Sequence, residues 1–75
     1  MESTSVAGSR LRAERLSRQL TLRQFDRLTE ISYTLLSRYE NGLIPPLKDR
    51  ERIAKELGVN PEFLWPTTYG IQGVA

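Results

Sequence analysis

Four polar residues between positions 33 and 38 carry the side chains best suited to recognising another molecule: Tyr33, Thr34, Ser37 and Arg38. Residues three and four apart lie on the same side of an α-helix, so these four share one face if the segment is helical. The Arg38 guanidinium can donate two hydrogen bonds at once, and Thr34 offers both a hydroxyl and a methyl group. Tyr33 offers a ring for stacking and a hydroxyl. This set favours recognition by hydrogen bonds and apolar contacts.

Catalytic and metal-binding chemistry have little support in the sequence. There is no Cys and no His, which excludes thiol nucleophiles, disulfides and zinc-thiolate sites and removes the commonest general base and metal ligand. No nucleophile–base pair and no glycine-rich phosphate loop is present. We therefore expect no enzymatic activity, no metal, no cofactor and no small-molecule ligand.

Two helix-start signals organise the segment that must position the polar face. Thr21 followed by Gln24 has the spacing of a capping box, and Ser32 can cap a second helix. Gly42 stands where a left-handed residue commonly ends a helix. The two caps are eleven residues apart, which leaves room only for a short helix, a tight turn and a second helix. The sequence predicts a helix-turn-helix, with helices at residues 22–29 and about 33–41 and a turn at residues 30–32.

Three further helices complete an all-α prediction. The first runs from about residue 10 to residue 19, with Ser9 as a possible cap. The fourth covers about residues 46–57 and has Gly58 as its C-cap. The fifth is short, opened by Asn60 and Pro61 and stopped by Pro66. The inner face of the fourth helix consists of apolar residues: Leu47, Ile53, Ala54 and Leu57. We expect a domain at residues 9–65, a frayed lead at residues 1–8 and a tail at residues 66–75.

Charge is unevenly distributed along the chain. Residues 9–38 contain seven arginines and three acidic residues, a balance of +4, although the whole chain carries only +2. Arginine suits phosphate because of its planar fork, while an ordinary solvated helix face is the alternative explanation. No apolar run approaches the ~20 residues that span a bilayer, and the first residues do not resemble a signal peptide. We expect a cytoplasmic protein without a membrane partner.

The polar face and the charge together suggest double-stranded DNA as the partner. An α-helix fits the major groove, where exposed polar side chains read base edges, and Arg38 could pair with a guanine. The starts of the second and third helices offer backbone N–H groups to phosphates, and Arg23 and Gln24 would add side chains to the first of these. The alternative is a surface helix that contacts nothing.

The stretch from Leu11 to Trp65 resembles the phage-repressor/Cro (XRE-like) helix-turn-helix family. The matching pieces are Arg15, "LT" before the second helix, "IS" at the third, "RYENG" at its end, a proline soon after, and "IAKELGVN" before an aromatic-rich last helix. The resemblance implies a compact, lambda-repressor-like bundle of four or five helices. It also implies binding to operator DNA, usually as a dimer.

The resemblance assigns roles to individual residues. Base reading falls on Tyr33, Thr34 and Arg38, with Ser37 alongside. An ion pair that fixes the third helix against the first falls on Arg15 and Glu40. Phosphate contacts fall on five residues: Leu22, Arg23, Gln24, Asn41 and Leu43.

Several residues depart from the family pattern. Leu22 stands where the family often has Gln, Asp26 where a small residue is expected, and Glu30 where Gly usually adopts a positive φ. Glu14 and Arg50 replace expected apolar residues. These departures leave open the packing between the second and third helices and the geometry of the turn.

The sequence therefore predicts a transcriptional regulator, a repressor that binds a two-fold operator as a homodimer with half-sites roughly 34–36 Å apart. The dimer surface is expected to use apolar residues beyond the needs of a small core: Phe63, Trp65, Tyr69, Ile71 and Val74. The tail would form an arm or strand across the dimer, or it would be disordered. The alternative is a protein–protein interaction module that kept the fold and lost base reading, as Asp26 and Glu30 suggest.

Overall fold

The computed structural model describes residues 6–66, and all regular structure in that range is helical. The five helices are α1 (Val6–Ser17), α2 (Leu22–Thr29), α3 (Tyr33–Glu40), α4 (Leu47–Leu57) and α5 (Pro61–Leu64). The prediction of an all-α domain with a helix-turn-helix at α2 and α3 is confirmed. None of these helices combines the length and apolar character that crossing a membrane requires.

Local capping explains where α2, α3 and α5 begin. Thr21 Oγ1 accepts the Gln24 N–H at 3.0 Å while Gln24 Oε1 accepts the Thr21 N–H at 2.8 Å, which completes the predicted capping box. Ser32 Oγ accepts the Leu35 N–H at 3.2 Å. Asn60 Oδ1 accepts the Glu62 N–H at 3.0 Å. Each side chain satisfies a helix N–H that has no carbonyl partner within the helix.

The first helix differs from its prediction at both ends. It begins at Val6 rather than near residue 10, so Ser9 lies within the helix and is not its cap. A Cβ on Gly8 would lie 2.6 Å from the Glu40 carbonyl oxygen, so the first turns of α1 approach the end of α3 closely. The helix ends at Ser17, because Gln19 adopts a left-handed φ of 58°. Residues 1–5 lie outside the described part of the chain.

The helices enclose one core of apolar side chains, in which α1 packs on α3 and α5, α3 packs on α2, and α4 packs on α2 and α5. Ten buried residues form it: Leu11, Phe25, Ile31, Leu36, Tyr39, Ile53, Ala54, Leu57, Leu64 and Trp65. Two predictions are wrong here. Leu47 is 58% exposed and does not belong to the inner face of α4, and Trp65 is 3% exposed and belongs to the core.

Three arginines of α1 donate hydrogen bonds to backbone carbonyls elsewhere in the bundle. Arg15 Nη1 donates to the Leu20 carbonyl at 2.7 Å, Arg10 Nη1 to the Phe63 carbonyl at 2.6 Å, and Arg18 Nη2 to the Leu57 carbonyl at 2.5 Å. Leu57 is the last residue of α4, where a positive charge is stabilising. Arg18 also pairs with Glu14 at 2.6 Å, which gives that acidic residue a partner on the surface of α1.

The start of α4 is joined to α3 by a buried phenol. The Tyr39 hydroxyl donates to Asp49 Oδ2 at 2.6 Å. Burial, reinforced by the hydrogen bond and the negative charge of Asp49, raises the pKa of Tyr39 well above its ordinary value. The next residue, Arg50, has a buried Nε without a hydrogen-bond partner among residues 6–66, and nothing in the structure explains it.

Candidate nucleic-acid interface

The turn between α2 and α3 adopts a left-handed conformation without glycine. Glu30 has φ 61° and ψ 28°, and its N–H donates to the Asp26 carbonyl at 2.7 Å. A non-glycine residue in this region costs about 1 kcal/mol. Arg52 of α4 holds the turn from outside, because its Nη1 donates to Glu30 Oε1 at 3.0 Å and to the Thr29 carbonyl at 3.2 Å. Glu30 thus adopts the positive φ that Gly usually has in the family, which establishes the turn geometry that the sequence left open.

Asp26 joins α2 to the first residue of α3. Its Oδ2 accepts the Tyr33 N–H at 2.8 Å. The family usually has a small residue at the position of Asp26, so this carboxylate is a departure from the family pattern. A negative charge at a helix N-terminus is stabilising. The Tyr33 N–H, the first backbone donor of α3, is already hydrogen-bonded to this carboxylate, and the negative charge repels other anions. The prediction that the start of α3 offers this N–H to phosphate is therefore wrong.

A buried ion pair fixes the other end of α3 against α1. Arg15 Nε donates to Glu40 Oε2 at 2.6 Å and Arg15 Nη2 donates to Glu40 Oε1 at 3.1 Å. The two side chains are 9% and 7% exposed. This two-pronged geometry is the strongest form of the arginine–carboxylate contact, and it is the pair that the family resemblance implied.

The outer face of α3 is exposed to solvent along most of its length. Tyr33, Thr34 and Arg38 are exposed and Ser37 is partly buried, while Leu36 and Tyr39 on the opposite side reach the core. The side chains of Thr34 and Arg38 make no hydrogen bond to any residue in the described range. The four residues predicted to read bases therefore lie on one side of one helix, and the polar groups of Thr34 and Arg38 are available to a partner.

Arg23 and Tyr33, which are predicted to have separate roles, are in direct contact. The Arg23 guanidinium lies over the Tyr33 ring, with its central carbon 4.6 Å from the ring centroid. Arg23 Nη2 also donates to the Tyr33 hydroxyl at 3.3 Å. The sequence signal for this contact is slight: an arginine in the first turn of one helix and an aromatic residue at the start of the next.

The predicted phosphate contacts divide into two groups. The backbone N–H groups of Leu22 and Arg23 open α2 and have no acceptor among residues 6–66, whereas the Gln24 side-chain oxygen is held in the capping box. After α3, the Leu43 N–H donates to the Arg38 carbonyl at 3.0 Å, and the Asn41 N–H donates to the Ser37 and Arg38 carbonyls. The backbone N–H groups of Asn41 and Leu43 therefore have acceptors within the chain, and the phosphate contacts that the family resemblance implies at these two residues stay a prediction.

The positive charge of the interface comes from fewer residues than the sequence count suggests. Arg10, Arg15 and Arg18 donate to backbone carbonyls within the domain, those of Phe63, Leu20 and Leu57 respectively. On α2 and α3, Arg27 and Arg38 are exposed and form no ion pair within the described residues. These two, together with Arg23, form the basic surface beside the outer face of α3.

The residues expected at a dimer surface differ in their exposure to solvent in the single chain. Phe63 is 44% exposed, and Arg10 lies over its ring with the guanidinium carbon 5.1 Å from the centroid. Trp65 is a core residue in the single chain. Tyr69, Ile71 and Val74 lie outside the described residues.

One family model, described as "Helix-turn-helix domain", matches residues 6–64 and so spans all five helices. Comparisons with curated proteins and with solved structures gave no match.

Proposed function

The chain belongs to the helix-turn-helix domain family, and on this basis we propose that it is a sequence-specific DNA-binding regulator of the phage-repressor/Cro type. The observation that carries the proposal is the state of α3. Its two ends are tied to neighbouring helices, by Asp26 at Tyr33 and by Arg15 at Glu40, while its polar side faces solvent. A rigidly held helix with an exposed polar face is what reading the major groove requires.

Base reading is assigned to the exposed side chains of α3. Arg38 has an unpaired guanidinium that fits the two acceptors of a guanine, a contact worth about 1–3 kcal/mol of discrimination. Thr34 offers its methyl group to a thymine methyl and its hydroxyl to either kind of base edge. Ser37 lies between them and is partly buried, so we give it a smaller share.

Phosphate binding is assigned to the start of α2. The unpartnered N–H groups of Leu22 and Arg23 form a site for a phosphate oxygen, and α2 adds the positive end of its dipole. Arg27, one turn further along the same helix than Arg23, adds an exposed positive charge. These contacts position α3 on the duplex without reading its sequence.

We extend the proposal to a repressor that binds a two-fold operator as a homodimer, because one such domain covers only half an operator. Exposed Phe63 and the segment 67–75 are the proposed dimer contacts. A chain truncated after Pro66 should sediment with the mass of a monomer, whereas the chain of 75 residues should sediment as a dimer. A dimer of unchanged stability would contradict the role of this segment.

The structure does not favour the alternative of a protein-interaction module. Asp26 and Glu30 suggested it, because both depart from the family pattern. Asp26 accepts the first N–H of α3, and Glu30 accepts a hydrogen bond from Arg52. Both departures therefore have partners that support the helix-turn-helix geometry, and neither argues for a lost DNA-binding role.

The test begins by selecting bound duplexes from a random pool and measuring affinity for the enriched sequence at several salt concentrations. Each phosphate that an arginine neutralises predicts a loss of about 3-fold in affinity between 50 and 200 mM salt, so the affinity should fall as salt rises. Arg38→Ala should flatten the preference at one base position by about 1–3 kcal/mol. Arg12→Ala removes the same charge from an exposed site on α1 and should preserve that preference. Binding that ignores salt, or a pool without enriched sequences, would contradict the proposal.

A further inference from the structure

We infer that Arg23 sets the DNA sequence preference at one base position without contacting the base, because it positions Tyr33 and directs its hydroxyl hydrogen outwards. The inference rests on the proposed function and deepens it. It adds a specificity-determining role for a residue of α2, which the sequence and the family resemblance assign only to phosphate.

The contact fixes the orientation of the Tyr33 side chain before any partner arrives. The guanidinium of Arg23 covers one face of the ring at 4.6 Å from the centroid, and the hydrogen bond to the hydroxyl adds a second point of contact. The backbone of Tyr33 is held separately, by its N–H bond to Asp26. Tyr33 nevertheless remains 39% exposed, so the held side chain is accessible from the outer face of α3.

The direction of the hydrogen bond decides what the hydroxyl can offer to DNA. A guanidinium has five N–H donors and no acceptor, so the Tyr33 oxygen must be the acceptor in the bond from Arg23. The phenolic O–H then remains as a donor directed away from Arg23. Tyr33 is therefore prepared to meet an acceptor and poorly prepared to meet another donor.

The bases differ in whether the edge that they present in the major groove carries a hydrogen-bond acceptor. Guanine presents O6 and N7, thymine presents O4 and adenine presents N7 as acceptors, whereas cytosine presents only the N4 amino donor. The Tyr33 position should therefore favour the bases that carry an acceptor and disfavour cytosine. A phosphate oxygen is also an acceptor, but a bond to phosphate would give no base preference.

Loss of Arg23 should change preference as well as affinity. In Arg23→Ala the ring loses its cover and its hydroxyl can again accept or donate, so the preference against cytosine at that position should fall by about 2- to 10-fold, as expected for one neutral hydrogen bond. Tyr33→Phe keeps the ring and removes the hydroxyl, so it should flatten the same position. The double variant should flatten it no further.

Arg27→Ala is the matched control. Arg27 lies four residues along the same helix, carries the same charge and is exposed, but has no aromatic partner within the described residues. Its loss should weaken binding to all sequences by the same factor and leave every base preference unchanged.

The experiment selects duplexes from one random pool with the full-length wild type and the four variants, and compares enrichment position by position. Far-ultraviolet circular dichroism of each free variant shows whether it is folded. The inference predicts one shared flattened position for Arg23→Ala, Tyr33→Phe and the double variant. Equal weakening on all sequences in Arg23→Ala, or different flattened positions in the two single variants, would overturn the inference and leave the proposed function standing. A wild type that enriches no sequence would overturn both.

Discussion

Replacing Glu40 with Gln should remove much of the stability of this domain, because it leaves the Arg15 charge buried without a counter-charge. Both side chains are less than one-tenth exposed, and both prongs of the guanidinium are engaged at 2.6 and 3.1 Å. Removing one partner of a buried pair costs about 3–5 kcal/mol. A domain of about 60 residues has a free energy of unfolding of about 3–9 kcal/mol. At the midpoints of these ranges about 2 kcal/mol of stability remains in Glu40→Gln, so the variant should unfold at a much lower denaturant concentration than the wild type.

Urea denaturation followed by helical circular dichroism measures this effect. Glu14→Gln is the matched control, because its arginine pair on α1 is a partly exposed i,i+4 pair and should contribute only about 0.3–0.5 kcal/mol. The double variant Arg15→Met with Glu40→Leu should recover most of the loss, since an apolar pair of similar volume leaves no buried charge. A loss below about 1 kcal/mol in Glu40→Gln, or no recovery in the double variant, would refute this reasoning.

Three further changes test the packing around α3. Gly8→Ala places a Cβ 2.6 Å from the Glu40 carbonyl oxygen and should lower stability by about 1–3 kcal/mol, measured as a lower melting temperature. Glu30→Gly relieves the left-handed backbone at φ 61° and loses an exposed ion pair, so it should raise stability by about 0.5–1 kcal/mol in urea. The pKa of Tyr39 is raised in the folded state. The contribution of Tyr39 to the free energy of unfolding should therefore be fully present below pH 10.0, the ordinary pKa of Tyr, and decrease as the pH rises above it. Tyr39→Phe should show a smaller alkaline loss in unfolding measurements across that range.

The helix boundaries that the sequence predicts well are those set by local capping. Each of these helices begins with a side chain that accepts a hydrogen bond from an N–H two or three residues further on: Thr21, Ser32 and Asn60. The start of each helix is therefore determined by residues that are close together in the sequence. The start of α1 depends instead on the close approach of Gly8 to α3, a contact between residues far apart in sequence. The end of α1 depends on the left-handed conformation of Gln19, which cannot be predicted from the residue type.

The same distinction separates the parts of the site that the sequence predicts from those it does not. The outer face of α3 follows from helical periodicity, and the Arg15–Glu40 pair follows from the family resemblance. The contacts of Arg23 with Tyr33, and of Arg52 with Glu30, depend on the angle and distance between helices, which no local pattern specifies. The sequence places Trp65 at a dimer surface, whereas the core has room for its side chain, and the volume of a core depends on how the helices pack.

Protection of guanine N7 from methylation on the selected duplex tests most directly whether the outer face of α3 lies in the major groove. N7 is exposed only in that groove, so a bound α3 should shield the guanine that Arg38 contacts. Arg38→Ala should restore methylation at that guanine, whereas the α1 variant Arg12→Ala should leave the protection in place. Full methylation of every guanine in the bound wild-type complex would contradict the placement of α3 in the groove.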